Sequence, residues 1–154
     1  MKARLLLIAA ALVAACGTSI AADTPEPTPA PSDSDVLATA RRHVQAQRWP
    51  QALAELRKVN ASSNADWNNL MGFALRKQTP PDLDGAQRHY DIALKIDPRH
   101  QGALEYAGEL ALMKGDLPTA EARLAALAKL CSSPCEALDD LAKAIARYKA
   151  TGKS

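Results

Sequence analysis

Two cysteines, Cys131 and Cys135, stand four positions apart in the segment Leu130-Cys131-Ser132-Ser133-Pro134-Cys135-Glu136. In an oxidising compartment two thiols this close across a turn are placed to pair. So short a loop gains on the order of 2 kcal/mol of chain entropy at best from its closure. A redox role is the sharper alternative, because a thiol in the first turn of a helix has a lowered pKa. Against it, the spacing is C-x3-C rather than the two-residue spacing of thioredoxin-like sites, and no strand pattern surrounds the pair. The remaining reactive types are scattered. His43, His89 and His100 form neither H-E-x-x-H nor a Cys/His cluster at zinc spacing. Asp82/Asp84 and Asp139/Asp140 read as a turn and a solvated helix start. With no Gly-rich phosphate loop, nucleophile elbow or catalytic carboxylate pair, the sequence points to no enzyme, no cofactor and no metal site.

The elements that carry these residues are set by a period of 34 positions. Trp49/Leu83/Leu117, Ala52/Ala86/Ala120, Leu56/Tyr90/Leu124 and Val59/Ala93/Leu127 all recur at that spacing. Such a period marks a helix-turn-helix solenoid, whose units bury their apolar faces only against one another. Within a unit the small and large apolar residues follow at spacings of four and three, one stripe of an α-helix. The alanines belong where a second helix approaches a first closely, and Leu56, Tyr90 and Leu124 fill the space one turn on. Trp49, Leu83 and Leu117 are expected in the turn just before. Upstream of each alanine stands another small residue, Ala40, Gly72 or Gly108, at distances of 12, 14 and 12. Pro80-Pro81 cannot continue a helix, so Thr79-Pro80-Pro81-Asp82 lengthens the middle turn.

These residues resemble the tetratricopeptide repeat family, with its pattern W-x2-L-G-x2-Y, A-x3-F and a closing P. The middle copy matches best through Gly72, Ala86-x3-Tyr90, Ala93 and Pro98, with Asn68 and Met71 in the places of Trp and Leu. The third keeps Gly108, Ala120-x3-Leu124 and Leu127 but has Ser132 for the closing Pro, and the first has Ala40 and His43 for Gly and Tyr. The resemblance implies an all-α, right-handed solenoid of about three repeats, over about 33–64, 65–100 and 101–134, with a capping helix at 135–149. Helix pairs are expected near 34–47 with 50–60, 65–78 with 84–96, and 101–114 with 117–130. Leu138, Leu141, Ile145 and Tyr148 form the buried stripe of the cap, with Ser133 as N-cap and Pro134 opening the helix.

The first helix of each pair lines the concave face in this family. By resemblance the groove takes Arg41, Val44 and Gln45, then Asn69, Phe73, Arg76 and Lys77, then Glu105, Glu109 and Leu112. It is expected to be basic toward one end of the array and acidic toward the other. Phe73, the only phenylalanine, either anchors a bound peptide or packs on a neighbouring helix. Some family members clamp a terminal carboxylate with Lys and Asn, but Glu105 and Glu109 would repel one here.

Residues 1–22 read as an export signal: Lys2 and Arg4, the apolar run Leu5 to Ala15, and small residues Ile20-Ala21-Ala22 before a cut at Asp23. A competing cut precedes Cys16, since Val13-Ala14-Ala15-Cys16-Gly17 resembles a bacterial lipobox whose cysteine becomes a lipid tether. Residues 23–33 are a Thr/Pro/Ser-rich linker unable to bury a core, and 34–150 are the domain. Both cuts predict a periplasmic location. Export removes two of the 19 cations and no acid, so 17 face 17 anions and no nucleic-acid partner is indicated. The function expected is a non-enzymatic scaffold binding a protein or peptide partner. The alternatives are a thiol- or metal-handling accessory using Cys131 and Cys135, or a self-associating module forming homo-oligomers.

Overall fold

The computed structural model describes residues 33–132 and 134–153, which leaves the leader, Cys16 and most of the linker outside it. The described chain is seven helices: α1 (Asp33–Gln45), α2 (Trp49–Val59), α3 (Ala65–Lys77), α4 (Leu83–Ile96), α5 (Gln101–Met113), α6 (Leu117–Leu130) and α7 (Glu136–Thr151). Consecutive helices pack pairwise, α1 on α2, α3 on α4 and α5 on α6, and each pair leans on the next. This is an all-α solenoid, as the 34-residue period requires.

The small residues sit where the helices come closest. Ala52, Ala86 and Ala120 have no exposed surface, and Ala40 has almost none. A Cβ on Gly72 would lie 2.6 Å from Cε1 of Tyr90, and one on Gly108 would lie 2.7 Å from Cδ2 of Leu141. In α3 and α5 the glycine therefore gives up helix propensity so that a large side chain of another helix can cross it.

The second helices share a device that escapes a reading of apolar spacing. Asp82 and Asp116, one period apart, are the N-caps of α4 and α6 and accept from the backbone N–H of Gly85 and Thr119. Arg48 holds the matching place before α2 and makes no side-chain cap bond. Trp49, Leu83 and Leu117 accordingly open their helices rather than lying in the turn ahead of them.

The start of α7 also corrects the sequence reading. The N-cap is Cys135, without a side-chain cap bond, and Pro134 precedes the helix. The Cys131 and Cys135 sulfurs lie at disulfide-bonding distance with Cα atoms 5.8 Å apart. With its sulfur turned back toward Cys131, Cys135 is extended, and helical conformation begins only at Glu136. Ser133, the expected cap, lies outside the described residues. The expected stripe of α7 is met: Leu141 and Ile145 are buried, and Leu138 and Tyr148 pack beside them.

Candidate functional site

The chain reverses at each short turn, so α1, α3, α5 and α7 run the same way and present equivalent stripes to one face. The stripe on α5 is Glu105, Glu109 and Leu112, and that on α7 is Glu136, Asp140, Ala144 and Arg147. Down the middle runs a row of rings. Phe73 meets Trp49 edge-on at 5.8 Å between centroids and Tyr106 at 4.6 Å, and Tyr106 lies 6.3 Å from buried Tyr90. Phe73 is half-buried, so it packs on its neighbours and still borders a cavity of about 540 Å³ with Val44, Gln45, Trp49 and Lys77.

Arg76 stands under this row. Its side chain is 4 % exposed, its Nη2 lies 2.6 Å from Glu109 Oε2, and its guanidinium sits 5.5 Å from the centroids of both Phe73 and Tyr106. Burial alone would disfavour the charge, but Tyr90 and Glu109 outweigh it and hold the guanidinium protonated. A buried cation survives only with such partners. Nε of Arg76 meets no acceptor in hydrogen-bond geometry among the described residues. Arg76 nevertheless borders a second cavity, of about 290 Å³, with Lys77, Glu109, Leu112, Met113 and Arg147. Lys77 Nζ lies 5.7 Å from the Phe73 ring, an exposed cation–π contact.

A third cavity, of about 310 Å³, opens one turn away at the starts of α5 and α7, among Gln101, Glu105, Tyr106, Glu136 and Asp140. It is acidic. Burial first, then the charges of Glu109 and Asp140, push the Glu105 carboxyl up to about 7. Burial followed by Glu105 and Glu109 lifts the Tyr106 phenol to about 12. Nothing in this cavity is arranged for catalysis: no nucleophile meets a base, and among the described residues no group of His, Cys, Asp and Glu could hold a metal ion.

The structure gives several of the expected residues partners within the fold. Arg41 is held by Asp66 at 2.6 Å, and Asp66 also meets His100 Nε2 at 2.9 Å. Burial works against the Asp66 charge, but His100 and Arg41 prevail and keep its pKa below the usual range. His100, read from sequence as an isolated histidine, caps α5 by accepting at Nδ1 from the Ala103 N–H. Asn69 is 9 % exposed with Oδ1 lacking a donor, and Arg76 is buried rather than displayed. Asp140 is part of the acidic cavity as well as the start of a helix.

The charge layout has a second axis. The sequence predicts a groove basic at the first repeats and acidic at the third. Polarity also runs across the array: Glu105, Glu136 and Asp140 lie toward the starts of α5 and α7, and Arg76, Lys77 and Arg147 lie toward the ends of α3 and α7. Sequence reasoning missed α7 as a wall of the groove, together with Tyr106, Met113 and Arg147. The signal was present, because positions 136, 140, 144 and 147 form a second helical stripe beside the apolar one.

No family model matches the chain. A stretch of 86 residues, 55% of the chain, is 28% identical to the E3 SUMO-protein ligase RanBP2 of Drosophila melanogaster, and the match spans 3% of that protein's length. Among solved structures, the fold is similar to SycD, the type III secretion chaperone of Yersinia enterocolitica, crystallised with a peptide of the translocator YopD. That match has a TM-score of 0.63 at 17% identity and covers 80% of this chain and 98% of SycD. At such identity the likeness is one of fold, and it places the chain among helical-repeat structures.

Proposed function

We propose that this chain is a tetratricopeptide-like adaptor that holds a protein or peptide partner in the groove formed by α1, α3, α5 and α7. The observation that carries the reading is the half-exposed Phe73, set in a ring row and flanked by open cavities and exposed Lys77. Rigid aromatic surface beside charged groups is what anchors a docked segment, because it loses little side-chain entropy on binding. The peptide in the SycD structure supports the reading by analogy of fold. The leader-like residues 1–22, lying outside the described residues, support action in a bacterial envelope, either soluble or tethered at Cys16. Cys131 and Cys135 both pack against the apolar cluster that seats α7, which favours a staple for α7 over a thiol reagent.

Photo-crosslinking from position 77, with position 129 on α6 as control, tests the function in the native cell. Both lysines are exposed, but only Lys77 borders the groove. A distinct partner captured from 77 alone is the expected result. Crosslinks only to a second copy would support self-association instead, and equal capture at both positions would remove the groove from consideration.

A further inference from the structure

Resting on that groove reading, we infer that the partner is an extended peptide of fixed charge polarity. Its acidic side chain enters the cavity bordered by Arg76, Lys77 and Arg147, and its basic side chain lies against Glu105, Glu136 and Asp140. Apolar residues between them cross Tyr106.

The basic cavity has charge to spare. Its one carboxylate, Glu109, is already paired with Arg76. Lys77 and Arg147 meet no carboxylate among the described residues. Arg76, more than nine-tenths buried, also borders the cavity and adds its positive charge to those of Lys77 and Arg147. Met113, 40% exposed, offers an apolar neighbour to the same ligand residue.

The acidic cavity is the complement. Glu105 and Glu136 have no cation at ion-pair distance among the described residues, and Asp140 has only exposed Lys143. Burial first, and then the neighbouring Glu109 and Asp140 carboxylates against a smaller opposing effect of Arg76, keep the Glu105 pKa raised in the same cavity. A ligand lysine or arginine would relieve that crowding.

Spacing and size set the form of the ligand. Glu105 precedes Leu112 by seven positions and Glu136 precedes Arg147 by eleven, so the charged ends lie roughly 10–16 Å apart at helical rise. An extended chain spans that with about three to five residues. Phe73 and Tyr106 occupy the middle of the groove and leave cavities of about 290 and 310 Å³. Such spaces take side chains one at a time rather than a whole helix face.

The test is selection from a random dodecapeptide library displayed on phage, with the full chain as bait. Selected peptides, made synthetically, are then titrated against variants. Enrichment of peptides with one acidic and one basic residue three to five positions apart is expected. Lys77→Glu with Arg147→Glu should weaken such a peptide at least tenfold, as should Glu136→Lys with Asp140→Lys. A peptide with its charges exchanged should bind the fully reversed protein and not the native one.

Peptides of a single charge sign, reversals that change affinity less than twofold, or an empty selection would each overturn the inference. So would a dimer of the full chain that the peptide dissociates, which would make a second copy the occupant. Phe73→Ala separates the two levels of the argument. If it weakens binding and the charge reversals do not, only the polarity falls. If neither matters, the groove falls as well.

Discussion

Around α1 to α4 the core is organised by rings and hydrogen bonds, whereas around α5 to α7 it is almost wholly leucine and alanine. In the first region Trp67 is buried and donates from Nε1 to the Leu56 carbonyl at 2.8 Å. Beside it, fully buried Asn68 donates to the carbonyls of Ser62 and Asn64 and faces His89 Nδ1 at 3.0 Å. These contacts tie α2, α3, α4 and the turn after α2 at single, directional points. In the second region Leu104, Leu112, Leu127, Leu141 and Ile145 interlock around Ala111, Ala120 and Ala144. The special ties there among the described residues are the cysteine pair before α7 and a surface ion pair of Lys149 with Glu121 at 2.6 Å. Directional groups have one good arrangement, while aliphatic contacts have many of similar energy. The contrast falls along the groove: Trp49 and Phe73 stand over the rigid region, and the charged wall of α5 and α7 stands on the more pliant one.

The largest expected effect tests the rigid side. Trp67→Ala removes a buried ring and leaves the Leu56 carbonyl unpaired, and should cost about 3–5 kcal/mol in denaturant unfolding. Leu141→Ala, at the heart of the other region, should cost less. An equal or greater loss there would break the comparison.

Next comes a matched pair of glycines. An alanine at 72 would meet the enclosed Tyr90 ring, whereas one at 108 would meet the methyl groups of Leu141. Gly72→Ala should therefore destabilise by ~1–3 kcal/mol. Gly108→Ala should stay below about 1 kcal/mol, because a leucine can turn and helix propensity improves. Equal penalties would show that α7 is held as firmly as α4.

The smallest effect sharpens the electrostatic side. Folded Glu105 titrates near 7, above its unfolded value, among Glu109 and Tyr106 on its own helix, Glu136 and Asp140 on α7, and Arg76 on α3. Between the ordinary carboxylate range and pH 7 the folded chain thus binds the extra proton, and stability falls as pH rises through that window. Glu105→Gln should flatten this slope and raise Tm by on the order of a few degrees above pH 7. A slope that survives the substitution would place its origin elsewhere.

The helices were legible because the same residue types return every 34 positions and mark the same point of each unit. That recurrence located α6 at 117–130 as observed and brought the other helices within two residues at either end. It could not reveal what depends on single residues. Arg76 reads as one more surface cation, and its burial follows only from Glu109, Phe73 and Tyr106 converging on it in space. Asp82 and Asp116 carry a polar period that an apolar template passes over. The polarity of the groove depends on which turn of each helix a charge occupies, and α7 enters it because a cap that packs like a first helix also faces like one.

That last property has a constructive meaning. α7 packs against α5 and α6 much as α5 packs against α3 and α4, so it stands as the first half of a further unit. What stands where the next helix would dock is Asp139, Lys143, Ala146 and Ala150, all exposed. The shape of this face is that of a joint, and its composition makes the mating surface hydrophilic. A builder wishing to lengthen the scaffold would need to alter that surface alone, leaving every existing interface untouched.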